Sequence, residues 1–243
     1  MLEEFTNYVN NYDINDYHIK YKYNHSIRVE KICEALAYAL NFNEEDTYII
    51  KTIGLLHDIG RFEQLKLTGS YSDNEFDHGA YGAMILFKEG LIEKFNVDPK
   101  YYDIIEFAII NHNKYQISDT DDKRKLMFAK LIRDADKIDI FDAYTYLKAY
   151  NISNIDDEVT NEVAIQFKKH ETINRKIRKT KADLLLSVIA FVYDINYKEC
   201  LEIIDEQHYL DELYNQIENR VIFKEYFEYA KDFIKERIDE YAR

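Results

Sequence analysis

Gly54–Phe62 reads GLLHDIGRF and closes an apolar run that begins at Ile49. The run ends at Leu56, far short of the roughly 20 residues a membrane helix needs. Asn43 followed by Glu44, Glu45 and Asp46 supplies a capping side chain and first-turn acids, so Tyr48 to Leu56 reads as a helix. His57 and Asp58 then fall at the end of that helix, just ahead of Gly60. A histidine beside an aspartate offers two unlike ligands to one metal ion. The imidazole gives nitrogen, and the carboxylate gives charge and can bridge to a second ion.

Outward from this pair the helical period dominates. From Ile27, the apolar residues Ile32, Cys33, Leu36, Ala37 and Leu40 recur at spacings of three and four. His78 opens a helix that runs through Phe87 and stops at Gly90. Asp98 before Pro99 is a helix start, carried on by Ile104, Ile105, Ala108 and Ile109 to an end near His112. Lys123 to Tyr150 reads as one long helix bearing Asp134 and Asp136. Arg61–Phe76 and Lys114–Asp122 are polar and read as loops. Beyond a polar break at Asn151–Asp157, helices are expected from Asp157 to about Arg178, Lys181 to Asp194, Tyr197 to about Ile204, and Val221 to Ala242. One proline, and six glycines all before residue 91, argue for long helices and few tight turns. With no convincing alternating pattern, the expected fold class is all-α. Residues 1–150 should form a helical core and 151–243 a C-terminal helical extension packing on it.

The chain has 243 residues, 47% of them apolar, enough for a substantial core and too apolar for disorder. A net charge of −14 gives no basic stripe for counterion release, so duplex nucleic acid is not an expected partner. A small anionic substrate stays compatible if metal ions and a few cations focus positive potential locally. Cys33 and Cys200 sit in apolar helical patterns and read as small buried hydrophobes. The acidic start MLEEFTNYVN is no signal peptide. A cytoplasmic protein with no membrane association is expected. The basic run Lys168–Lys181 reads as a solvated helix face and turn. The 22 tyrosines and 14 phenylalanines are read chiefly as core filling. His18, His170 and His208 fit no pattern and are read as surface or packing residues.

Taken in order, NHSIRV (His25), LLHDIGRF (His57, Asp58) and RDADKID (Asp136) resemble the HD-domain metal-dependent phosphohydrolase superfamily. DHGAYGA (His78) and INHNKY (His112) resemble the extra histidines of its two-metal subgroup. The resemblance covers about residues 20–145 and implies an all-α HD-domain bundle. It implies that His25, His57, Asp58 and Asp136 hold a first divalent transition metal, and that His78 and His112 complete a second with Asp58 bridging. Asp136 is preferred because Ala135-Asp136-Lys137-Ile138 fits the family context; Asp134 is its competitor. Manganese, iron, cobalt, nickel and zinc all accept such ligands. The implied activity is hydrolysis of a phosphate ester or anhydride of a nucleotide or other small phosphorylated compound, through a metal-activated water. Beside Asp58, Arg61 and Lys114 are the expected phosphate contacts among the catalytic residues. After His112 the chain reads NKYQIS, without the Gly-Tyr-Pro stretch of cyclic-dinucleotide phosphodiesterases, which counts against that substrate. An HD-fold diiron oxygenase and a metal-stabilised sensor or interaction module are the competing readings.

Overall fold

The computed structural model describes residues 1–72 and 76–241, and among these there are helices and no strands. They form two compact units, Met1–Asp136 and Lys137–Arg243.

The first unit contains α1 (Leu2–Val9), α2 (Tyr17–Ala39), α3 (Glu44–Leu56), α4 (Gly60–Thr68), α5 (His78–Ala83), α6 (Tyr102–Asn111) and the start of α7 (Lys123–Tyr144). Each start has a local cause. Asp16 accepts hydrogen bonds from the backbone N–H of His18 at 2.7 Å and Ile19 at 3.2 Å and so opens α2. Asn43 caps α3 by accepting from Asp46 N at 2.8 Å, as its sequence context predicts. Pro99 begins a single tight turn, Pro99–Tyr101, that leads into α6. The helix opened by His78 changes to a π-helical turn at Met84–Lys88 before Gly90, whose φ of 78° ends it. Phe5, Leu36, Ile49, Ile53, Leu55, Phe62 and Phe128 are fully buried in this unit. The division between units falls inside α7, which itself ends at Tyr144 rather than Tyr150.

The Arg61–Phe76 loop expectation needs correction, because Gly60–Thr68 is helical. Phe62 and Leu65 are buried, and the polar Arg61 and Gln64 are buried too, at 8% and 0% exposure. Both spend their donors on the carbonyls of the segment that follows: Arg61 Nη1 on Tyr71 O at 2.9 Å, Gln64 Nε2 on Ser72 O at 2.8 Å. Their polarity looked like solvent exposure in the sequence, whereas it serves internal hydrogen bonding. Gly69, at φ 61°, closes the helix in the left-handed conformation.

The second unit holds the end of α7 and α8 (Asn161–Lys168), α9 (Lys181–Ile189), α10 (Lys198–Glu206), α11 (Tyr209–Gln216) and α12 (Lys224–Tyr241). Phe141, Phe167, Phe223 and Phe227 fill its core. The long helix expected over Asp157–Arg178 is only α8 plus a short turn, Arg175–Ile177. Helix α11 had no counterpart in the sequence reading, and Ala242, the expected end of α12, lies outside the described residues.

One carboxylate ties Thr160, the residue just before α8, to the start of α9. Asp183, fully buried, accepts from Thr160 N at 2.8 Å, Thr160 Oγ1 at 3.1 Å, Lys179 N at 2.8 Å and Thr180 N at 3.2 Å. Thr180 Oγ1 accepts from Asp183 N in return, completing a capping box. Desolvation pushes the Asp183 carboxyl up, but these donors outweigh it and hold the group below the usual carboxylate range. Its charge therefore stabilises the fold above the unfolded-state value of about 3.9, and that contribution is lost as pH falls through the depressed folded value. Asp183→Asn is expected to cost about 2–3 kcal/mol at pH 7. Urea titrations at pH 7 and pH 3 test this. The difference between wild type and variant should shrink at the lower pH, and equal midpoints at pH 7 would refute it.

Candidate metal centre

The first unit brings five helices to one point. His25 lies on α2, His57 follows α3, and Asp58 bridges the turn into α4. His78 is the first residue of α5, His112 follows α6, and Asp136 lies on α7. All but Asp136 are at most 6% exposed, and the Asp136 side chain is 20% exposed. The close approach of α2 and α3 depends on Gly54. A Cβ there would sit 2.9 Å from Cys33 Sγ and 3.0 Å from Glu30 Cα. That crossing lets His25 Nε2 come within 3.2 Å of His57 Nε2.

The donor atoms fall into two sets joined by Asp58. His25 Nε2 lies 3.2 Å from Asp136 Oδ1 and 3.3 Å from Asp58 Oδ2. His57 Nε2 lies 3.8 Å and 3.6 Å from the same two oxygens. On the other side of the carboxylate, Asp58 Oδ1 is 3.1 Å from His78 Nε2 and 3.5 Å from His112 Nε2, which lie 2.9 Å from each other. Two metal-sized groups emerge, His25–His57–Asp136 and His57–Asp58–His112. Asp134 is fully buried yet belongs to neither.

The chemistry of these donors suits a cation. His57 Nδ1 lies 2.8 Å from Gly54 O and His112 Nδ1 lies 2.6 Å from Ile109 O. Each carbonyl accepts from Nδ1–H in the tautomer that would present the Nε2 lone pair to a metal ion. Burial pushes the His112 imidazole down to about 4. Burial would raise the Asp58 carboxyl, but the Lys22 ammonium and His57 hold it well below the usual carboxylate range. The Asp136 carboxyl is held low by His25 and His57 against the same opposing effect of burial. Lone pairs on His112 and charges on Asp58 therefore face one another in the interior. Lys22 offsets this at Asp58 Oδ2, and a metal ion among the imidazoles would offset the rest.

The two cations singled out in the sequence lie beside this cluster. Arg61 Nε is 3.5 Å from Asp58 Oδ1, but its Nη1 is engaged by Gln64 Oε1 at 2.6 Å and by Tyr71 O. It ties Asp58 to the segment after α4. Lys114 pairs with Asp77, which also caps α5 through Ala80 N and accepts from Asn113 Nδ2.

Two cations, Lys22 half-buried and Arg133 buried, were not singled out in the sequence. Lys22 Nζ donates to Asp58 Oδ2 at 2.6 Å, and its side chain is 12% exposed. Its spacing, one turn before His25 on the same helix face, was the signal that could have found it. Arg133, 5% exposed, donates through Nη1 to Asn111 O at 3.0 Å, His112 O at 3.4 Å and Lys114 O at 2.5 Å. It caps the carbonyls at the end of α6 and so fixes the chain that carries His112. Arg133→Met is expected to cost about 3 kcal/mol, because three buried carbonyls lose a charged donor. Chemical denaturation should show it, together with weaker metal binding in titrations. Wild-type values for both would remove Arg133 from this role.

The all-helical fold and a buried set of four histidines and two aspartates define a metal-binding helical protein. The HD domain family model matches residues 23–144, half of the chain, and the chain belongs to that family, within the metal-dependent phosphohydrolase superfamily. HD domains bind divalent metals, and the His/Asp groups here could hold one. No curated protein and no solved structure matches the chain. Among the described residues no helix is long and apolar enough to cross a membrane.

Proposed function

We propose that this protein is a phosphohydrolase that cleaves a phosphate ester or anhydride of a nucleotide or other small phosphorylated compound. The observation that carries the reading is the position of Asp58, with one oxygen toward His25 and His57 and the other toward His78 and His112. A carboxylate so placed suits a bridge between two ions. His25, His57, Asp136 and Asp58 would hold the first divalent metal, and His78, His112 and Asp58 the second. Bound in this way, the ions lower the pKa of a coordinated water and offset charge on the attacking and leaving oxygens. The remaining residues position. Carbonyls at Gly54 and Ile109 orient two imidazoles, and Arg61 holds Asp58. Lys114, held by Asp77 beside the second histidine pair, is the cation assigned to substrate phosphate at that end.

Elemental analysis of purified protein, followed by a panel of phosphomonoesters, phosphodiesters and nucleotide anhydrides, tests this reading. Close to two transition-metal ions per chain and metal-dependent phosphate release are expected. A loaded, folded protein that hydrolyses no member of the panel would overturn it. Iron with substrate-dependent oxygen uptake would instead favour an oxygenase, and tight ligand binding without turnover a sensor module.

A further inference from the structure

A cavity of about 300 Å³ lies along the N-terminal part of α2, lined among others by Tyr12, Asp13, Asp16, His18, Ile19 and Leu65. Its connection to the metal centre runs through three side chains. His18 Nδ1 lies 3.2 Å from the Tyr71 hydroxyl, and that hydroxyl also donates to His18 O at 3.3 Å. The Tyr71 ring is 5.6 Å from Lys22 Nζ, which is bonded to Asp58. His18, Lys22 and His25 follow one another at i, i+4 and i+7, so they lie along one face of α2. The rise from His18 to His25 is roughly 10 Å. Tyr71 is itself anchored from below by Arg61.

We propose that this cavity receives the nucleoside part of the substrate while Lys22 receives its phosphate. The inference rests on the phosphohydrolase reading above. Charge orients such a ligand. The cavity carries two exposed carboxylates, Asp13 and Asp16, which repel phosphate and accept from hydroxyl and amino groups. Among the described lining residues the ammonium of Lys66 is exposed and pairs with Glu63 at 3.5 Å, so the carboxylates outnumber it. Lys22 lies one turn beyond His18 on α2, next to the cavity lining. Ile19 and Leu65, 4% and 7% exposed, make an apolar floor, and the Tyr12 ring adds aromatic surface for a planar base. When a cation takes Asp58 Oδ2, the Lys22 ammonium loses part of its claim on that oxygen. It would then be free to donate to a phosphate oxygen.

Equilibrium binding to the metal-loaded protein tests this, with methylphosphonate and a nucleoside 5′-phosphonate as probes that resist hydrolysis. The nucleoside probe is expected to bind about tenfold or more tightly than methylphosphonate, from base stacking and burial. Leu65→Phe, which fills the cavity, should remove that margin and leave methylphosphonate binding unchanged. Asp13→Lys, an exposed change that cannot prevent folding through lost packing, should shrink the margin as well. Lys22→Met should weaken both probes by a similar factor of about ten at unchanged metal content, with Lys22→Arg restoring most of it. No margin in the wild type, a margin that survives both cavity variants, or indifference to Lys22→Met would each overturn the inference. Methylphosphonate binding without a margin would leave the phosphohydrolase reading standing. Failure of both probes to bind, with no phosphoester cleaved, would remove both.

Discussion

Asp58→Ala is expected to abolish metal-dependent phosphate release, with kcat falling about 10³-fold or more. On the proposed reading, ions held there would supply several kcal/mol of transition-state stabilisation, and each 1.36 kcal/mol is tenfold in rate. Asp58 touches four imidazoles and one ammonium within 3.6 Å, so no other side chain occupies its place between the two sets. Its loss removes the negative charge that pairs with the half-buried Lys22 ammonium. Metal content should fall along with activity. Asp58→Asn separates shape from charge: it keeps the volume and one acceptor oxygen, and it should lose activity nearly as completely. Elemental analysis and phosphate-release assays on both variants, with melting curves to confirm folding, decide the matter. Substantial turnover in either folded variant would remove Asp58 from the centre of the mechanism.

Gly60→Ala should be the most damaging single methyl group in the first unit. A Cβ at this position would lie 2.2 Å from His78 O and 2.8 Å from Gly82 N, both backbone atoms of α5. No side-chain rotation relieves such a contact, so α4 and α5 must move apart. The expected cost is about 3 kcal/mol or more, at the upper end of overpacking effects. The functional consequence follows from what α5 carries. His78 is its first residue, and a shift of its backbone pulls His78 Nε2 away from Asp58 Oδ1 and His112 Nε2. The second metal should therefore bind more weakly than the first. Urea unfolding together with stepwise metal titration tests both halves. A variant with wild-type stability and two tightly bound ions would show that the helices have room that the geometry denies them.

The candidate residues stood out in the sequence largely because they sit in short motifs tied to helix ends. His57 with Asp58 closes one apolar run, and His112 closes another. Lys22 and Arg133 were not read in the same way. A lysine on an amphipathic helix is usually a solvated charge, and an arginine beside apolar residues gives no sign that three carbonyls lie within its reach. Arg61 was read as a phosphate contact, yet its nearest partners are Gln64, Tyr71 and Asp58. Polar residues turned inward also account for the error at α4. Arg61 and Gln64 broke the apolar period of a helix whose polar side chains bond a neighbouring segment.

By itself, the sequence determined the helical class, the cap at Asn43, the start at Pro99 and the ordered set of histidines and aspartates, because these depend on local spacing and local hydrogen bonding. The tertiary structure places Asp136, preferred in the sequence on its motif context, rather than Asp134 beside His25 and His57. It alone decided that the two oxygens of Asp58 face different histidine pairs, and that Lys22 neutralises one of them. Neighbouring residues on a helix point in different directions, and which direction meets a ligand is fixed only when the other helices are in place. The close approaches at Gly54 and Gly60 set those places, and they are contacts between segments distant in the chain that no local pattern records.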